Sequence, residues 1–433
     1  MASVGFAVGL GNIWRFPYVT GENGGSAFVL VYLACVAAIG VPFLMAEILL
    51  GRKGGRTPPE SMARLAEQAG STRRWAWVGH LNLLTAFTIL IAYGVVAGWV
   101  LHYLFLAFTG EVVMLSSGAA SLAAFDALLA DVPQLVFWTL LAFCLAGAIV
   151  FAGVEHGIER AVVVLMPALF VLLVVLAVFN VFAGGMQAAL AYLFTPDFSK
   201  LTPDVLLAAV GQAFFSIGVG MAGMMMYGAY LKEDVSIASS ALIIVLADTL
   251  VALVAGLVIF PMVFAHGLDP AGGSGLIFQT LPLAFSQMAS GTLIAALFFL
   301  LLAVAAITSI VGLLEPQLAW VVARTGWSRY RATVTVIAVL LTASLLSTLS
   351  YNHWADVTVF GSSLSAVIDF LPNQVFLPLG GLLIAVFAGY VLPRAVSAAG
   401  LGLPDRAFSA WHGLLRYVAA PAVLVILVSG LFG

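Results

Sequence analysis

The chain has 433 residues, 63% of them hydrophobic and 8% charged, and a formal net charge of -3. A soluble domain uses roughly 45–50% apolar and 25% charged residues, so a water-soluble globular protein is excluded and a polytopic membrane protein remains. The balance offers no basic surface for nucleic acid, and Cys35 and Cys144 lie in apolar runs, where they read as packing residues rather than a disulfide framework or metal cluster.

Apolar runs of about 20 residues, enough to cross a bilayer, predict about eleven membrane helices: 1–19, 27–50, 76–107, 134–153, 159–184, 205–230, 236–265, 288–322, 332–350, 362–392 and 410–432. The expected fold is an all-α transmembrane domain over 1–433, with the longest polar linkers, near 51–75 and 109–133, loop-sized. Arg52, Lys53, Arg56, Arg64, Arg73 and Arg74 lie between the second and third spans. Arg160, Lys232, Arg324, Arg329, Arg331, Arg394, Arg406 and Arg416 lie in or beside the other even-to-odd connections. That asymmetry marks one side, and with it the N-terminus, as cytoplasmic; only Lys200 sits in an opposite-side connection.

The first span reads AVGLGNIWRFPYVTGENGG from Ala7 to Gly25, an apolar helix interrupted by Gly9 and Gly11 and carrying Asn12 and Arg15. A lipid-embedded helix has no water to satisfy freed backbone groups, so a break there points to a cavity or a ligand. The sixth span repeats the device: Gly218 and Gly220 interrupt GQAFFSIGVGMAGMMMYGAY. An odd offset of five spans reverses topology, which predicts inverted repeats over about 1–184 and 205–392, an extra helix over about 410–432, and two half-helix breaks meeting near the midplane. A lone Gly-x-Gly in a membrane helix also serves plain close packing, and Met224 to Met226 read as adaptable packing.

GLGNIWRFPY with ENGG, GQAFFS in the sixth span, AAITSIVG in the eighth and LPLGG in the tenth resemble the neurotransmitter:sodium symporters, whose bacterial members carry amino acids in symport with sodium. The likeness runs over nearly the whole chain. It implies two sodium sites, a central substrate site and alternating access by inverted repeats.

Sodium needs several oxygen ligands, as other hard cations do. Ala305, Thr308 and Ser309 share one helical face. The resemblance makes one site from the carbonyls of Gly5, Val8 and Ala305 with the hydroxyls of Thr308 and Ser309. The alternative is that both hydroxyls bond back to the preceding turn. The other implied site uses the Ala7 carbonyl, Asn12, Ser216, Asp248 and the substrate carboxylate. Asp248 sits in LIIVLADTLVALVAGLVIF, where a bare carboxylate is costly and is kept by pairing. Family members with an amide there need chloride, so a fixed carboxylate predicts transport without it, with Tyr32, Gln212 and Ser216 as the remnant of the anion pocket. A protonated or helix-capping Asp248 is the competing reading.

By the same resemblance, Gly9 stands where monoamine carriers place an aspartate. Leu10 and Gly11 would then offer amides to a substrate carboxylate at a half-helix N-terminus, with Tyr93 as hydroxyl donor. Ala7, Ile89, Phe215, Ser216, Gly218, Met221, Ser309 and Leu313 complete the substrate set. None pairs a side-chain charge, which favours neutral, bulky aliphatic or aromatic amino acids. Arg15 and Asp369 form the outer gate, unless Asp369 caps the tenth helix. Glu47 holds freed donors near the sixth-span break, or is a helix-end charge.

The inner side departs from the family pattern. The basic residue and tryptophan that precede the first half-helix in relatives are absent, most of that half-helix is missing, and no acidic latch partner stands late in the eighth span. The expectation is a trimmed start or an open inner gate; Glu315 beside Pro316 either tunes ion release or faces a loop. No nucleophile–base pair, phosphate loop or metal motif supports an enzyme. The expected partners are an amino acid substrate and a bacterial inner membrane. A proton-coupled permease of the same architecture, or an amino acid sensor that does not transport, are the competing functions; oligomeric state is not legible.

Overall fold

The computed structural model describes residues 2–432. Among them, nine helices are long and apolar enough to cross a membrane: Ser26–Gly54, Arg73–Thr109, Val132–Phe151, His156–Ala183, Ile237–Ala265, Gly291–Thr325, Arg329–Ser350, Leu364–Val391 and Asp405–Phe432. The first and sixth segments complete the set as broken helices. The first runs as Ala2–Ala7, breaks at Val8 and Gly9, and resumes as a π-helical turn Gly11–Arg15 continuing into Phe16–Glu22. The sixth runs Pro203–Ile217, then Gly223–Ala229 after an irregular stretch.

Local chemistry explains where each half ends. Gly218 (φ 74°) and Gly220 (φ 78°) take left-handed backbone that other residues resist, and Ala222 follows at φ 63°. Thr202 starts the sixth segment, its side chain accepting from Val205 N–H, with Pro203 at the first helical position. The two breaks face each other: a Cβ on Gly218 would come within 2.8 Å of the Phe6 ring. The third and eighth spans pass on either side of the first break, where Tyr93 and Ser309 approach Gly9.

Both long linkers carry helices instead of being loop-sized. Pro58–Gln68 is amphipathic, burying Met62, Leu65 and Ala66 while Glu60, Arg64 and Glu67 face out. Gly118–Ala130 is capped by Ser117, which accepts from Ala120 N–H at 3.1 Å. Each is too short to cross a bilayer, and each buries only one stripe, so hydropathy alone reads it as linker. A two-residue antiparallel ladder, Thr358 opposite Ser363 and Val359 opposite Ser362, precedes the tenth span.

Close backbone approach fixes the second span against the sixth. A Cβ on Gly51 would lie 1.9 Å from the Met225 carbonyl oxygen, a backbone atom that cannot swing aside. Gly51→Ala is therefore expected to lower stability by about 1–3 kcal/mol. Gly413→Ala, with nothing within 4 Å of the added carbon, is expected to be neutral or stabilising by up to about 1 kcal/mol. Thermal unfolding of the purified variants in one detergent measures both.

Candidate substrate and ion site

Asn12 joins the two broken helices. Its Oδ1 accepts from Gly9 N–H at 2.9 Å, closing the turn that the break opens. Its Nδ2 lies 2.6 Å from Asp248 Oδ1, 3.0 Å from the Asp248 carbonyl and 3.1 Å from Ser216 Oγ. Ser216 Oγ donates in turn to Asp248 Oδ2 at 2.8 Å. Asn12 and Asp248 are fully buried and Ser216 nearly so. Among the described residues no cationic side chain pairs with Asp248, so this buried carboxylate is held by neutral donors alone. Asp248 lies inside Ile237–Ala265 with Ser236 capping the start, which removes the helix-capping reading.

Glu47 is also buried, and its Oε1 accepts from Gly220 N–H at 2.7 Å, satisfying one donor freed by the sixth-segment break. Leu10 N–H donates to Tyr93 Oη at 3.2 Å. The Gly11 carbonyl accepts from Gln212 Nε2 at 3.0 Å. Four side chains from three other spans and from the first span itself thus occupy backbone groups that lipid would leave bare.

A hollow of about 40 Å³ lies between the breaks, lined by Phe6, Ala7, Gly9, Gly11, Ile89, Tyr93, Phe215, Ser216, Gly218, Met221, Ser309 and Leu313. Of the substrate residues expected from sequence, Leu10 alone is not on its wall; it lines the vestibule above. Phe6 is the residue that sequence reasoning missed. The signal was there as three glycines, Gly218, Gly223 and Gly312, at each of which a Cβ would fall within 2.8 Å of the Phe6 ring or side chain. A side chain at Gly9 would meet Ser309 Oγ at 1.9 Å, so that glycine is a spatial requirement.

Ala305, Thr308 and Ser309 are buried on one face of Gly291–Thr325. Thr308 Oγ1 donates to the Val304 carbonyl at 2.9 Å and to the Ala305 carbonyl at 3.0 Å. Thr308 thus bonds back to the preceding turn, which directs its hydroxyl proton at carbonyls and leaves oxygen lone pairs for a cation, whereas Ser309 Oγ faces Gly9 and the Tyr93 hydroxyl. Gly5, on the first half-helix, and Val8, in the break, are both buried, Gly5 against Val162 of the fifth span.

Above the hollow a vestibule of about 350 Å³ contains Arg15, Asp369, Trp99 and Tyr351. Arg15 Nη1 donates to Gln212 Oε1 at 2.8 Å, and its guanidinium lies 4.4 Å from the Phe215 ring centre. Asp369 instead accepts from Asn373 Nδ2 at 2.9 Å. Arg15 and Asp369 form no ion pair among the described residues, so the expected latch is apart in this structure. Nor does Asp369 cap its helix, because Ser363 does, accepting from Ala366 N–H. Gln212 serves the break and Arg15. Tyr32 is fully buried, packed on Phe16 and Phe28, its hydroxyl facing Asp248, Ser216 and Thr249.

Glu315 does not face a loop. It is fully buried, forms an ion pair with Arg329 and accepts from Tyr230 Oη at 2.8 Å, while Arg329 Nε donates to the Val150 carbonyl at 2.8 Å. This cluster ties together the ends of the fourth, sixth, eighth and ninth spans. The sequence signal was a carboxylate inside an apolar span, which pairs or is costly; its partner, across a loop, carries no periodic mark.

The pattern of the Sodium:neurotransmitter symporter family matches residues 1–119 and 126–361. The chain belongs to that family. An uncharacterized sodium-dependent transporter of Haemophilus influenzae is 32% identical over 440 residues, covering 100% of this chain and 96% of the relative. One of Bacillus subtilis is 33% identical over 437 residues, covering 99% and 95%. The crystal structure of MhsT in complex with L-phenylalanine superimposes with a TM-score of 0.91 at 40% identity, covering 99% of this chain and 97% of that one. The fold of this symporter-family chain is accordingly all-α with discontinuous membrane helices.

Removing one partner of a buried ion pair strands the other charge. Glu315→Ala is expected to cost about 3–5 kcal/mol, with Glu315→Gln costing less because Tyr230 and Arg329 keep an acceptor. Denaturation midpoints of the two variants against the parent chain test the order.

Proposed function

We propose that this chain carries neutral, hydrophobic or aromatic L-amino acids into the cell in symport with sodium, by alternating access around the two broken helices. The observation that carries the reading is Asn12 bridging Gly9, Ser216 and Asp248, where a buried carboxylate without a cationic partner borders an apolar hollow. A cation among these oxygens offsets the buried charge, and the carboxylate of a zwitterion completes its shell. The L-phenylalanine in the MhsT structure and the sodium-dependent names of the bacterial relatives support the substrate class and the ion.

The first sodium ion is assigned to the Ala7 carbonyl, Asn12, Ser216 and Asp248, and the second to the carbonyls of Gly5, Val8 and Ala305 with Thr308 and Ser309. The substrate carboxylate displaces the hydrogen bond between Leu10 N–H and Tyr93 and faces the amides of Leu10 and Gly11 and the Tyr93 hydroxyl. Its side chain lies against Ile89, Phe215, Met221 and Leu313, where Met221 adapts to shape. Arg15 closing onto Asp369 seals the outer face. Inverted repeats over about 1–184 and 205–392 with an extra helix over about 410–432, an inner-membrane location and a cytoplasmic N-terminus belong to the same reading. Each sodium ion entering down 100 mV contributes about 2.3 kcal/mol, so two drive accumulation of a net-neutral solute.

Ligands raise the melting temperature by binding the folded state. Sodium chloride, but not choline chloride, is expected to raise it, and L-phenylalanine or L-leucine to raise it further only with sodium present. Thr308→Val, isosteric but lacking the hydroxyl, is expected to need at least about tenfold more sodium for the same shift. An equal response to choline, or uptake into proteoliposomes driven by a proton gradient without sodium, would overturn the reading.

Asp248 supplies a fixed negative charge beside Tyr32 and Ser216, so uptake is expected to proceed unchanged when chloride is replaced by gluconate. Loss of transport in gluconate would refute chloride independence while leaving sodium coupling intact.

A further inference from the structure

Asp405–Phe432 enters the membrane on the side that carries most of the arginines. Arg416 stands beside the last turn of the tenth span, Phe387–Val391, half-buried and across the face of Gly389: a Cβ on that glycine would lie 2.9 Å from Arg416 Cγ. Its guanidinium lies 4.1 Å from the Tyr390 ring centre and 5.6 Å from that of Tyr417. The Arg416 Nε is buried without an acceptor, and no carboxylate pairs with this residue among the described residues. Phe408, His412 and Arg416 follow one another at four-residue steps on one helical face. Arg394 lies over the Phe408 ring at 5.1 Å, bonded only to Ser409 Oγ, and both arginines are within electrostatic range of His412. Arg394 likewise has no carboxylate partner among the described residues.

Arg394 is exposed and Arg416 half-buried at the end of the tenth span, and with no carboxylate partner among the described residues the pair is free to take an external anion. Side chains on a helix lean toward its N-terminus, so Arg416 reaches back toward that end and Arg394. Tyr390 and Tyr417, 51% and 70% exposed, are of the amphipathic type that settles at headgroup level. We propose that Arg394 and Arg416, framed by Tyr390 and Tyr417, form a binding site for the headgroup phosphate of an anionic glycerophospholipid of the cytoplasmic leaflet, held in the cleft between the tenth and eleventh spans. The assignment of leaflet rests on the orientation proposed above; the selectivity for an anionic lipid does not. Basic clefts between membrane helices hold such headgroups because low dielectric strengthens the pairing and the acyl chains fix the phosphate depth.

The test uses the full chain in phosphatidylcholine nanodiscs with and without a quarter phosphatidylglycerol, with native mass spectrometry after mild delipidation. The expected result is retention of phosphatidylglycerol over phosphatidylcholine by roughly 30-fold, the value for two basic groups against one anionic headgroup, and a higher melting temperature in the mixed discs. Arg394→Gln with Arg416→Gln is expected to abolish both while sodium-dependent stabilisation by L-phenylalanine persists. Equal retention of the two lipids by the parent chain, or undiminished selectivity in the double variant, overturns the site. If the double variant does not fold, the parent chain decides by the retention ratio alone. Inorganic phosphate added to phosphatidylcholine discs is expected to give no shift; a shift equal to that of the lipid assigns the site to a soluble anion and overturns the lipid assignment. Failure of the sodium response with lipid selectivity intact counts against the transport reading only.

Discussion

Backbone amides and carbonyls at the middle of a bilayer must be satisfied from within the protein, and the whole architecture follows from how this chain breaks two helices there without violating that rule. The substitutes for the missing helical partners come from elsewhere in the bundle. Asn12 answers Gly9 locally, Tyr93 answers Leu10 from the third span, Gln212 answers Gly11 from the sixth, and Glu47 answers Gly220 from the second. Each substitute is also a cross-brace. The places where the helices are interrupted are therefore the places where the bundle is most tightly cross-linked, and a hollow with fixed polar walls results.

The same economy governs charge. Asp248 and Glu47 are buried on neutral donors, whereas Glu315 is buried on a guanidinium. A carboxylate already matched by arginine has little electrostatic reason to take up a cation, and one held by an amide and a hydroxyl has a strong one. That contrast separates the acid next to the hollow from the acid at the far end of the eighth span without reference to position in the chain.

Much of this was legible in the sequence because the bilayer imposes a length and a polarity that few residues violate. The interrupted first and sixth segments follow from paired glycines at matching places in two apolar runs, and the wall residues from Ala7 to Leu313 from the family resemblance that the surrounding motifs carry. What escaped falls into two kinds. Phe6 carries no mark of its own, since an aromatic in an apolar run is ordinary; only the ring of glycines that make room for it distinguishes it. The helices Pro58–Gln68 and Gly118–Ala130 were hidden because hydropathy measures crossing, and at 11 and 13 residues they are too short to cross. Arg329, the partner of Glu315, was beyond reach for a third reason: an ion pair that closes over a loop leaves neither periodicity nor motif in the chain.

Arg15 rests on Gln212 and on the ring of Phe215, both from the sixth segment, while Asp369 waits on the tenth with Asn373. The arginine of the proposed outer gate is thus already braced, its guanidinium held by a ring face and an amide. In the proposed closure Asp369 exchanges Asn373 for an arginine whose side-chain entropy is already spent, so less ordering remains to be done when the vestibule shuts. The sixth segment that supports Arg15 also walls the hollow through Phe215, Ser216 and Gly218, so the proposed lid and the pocket beneath it rest on the same stretch of backbone.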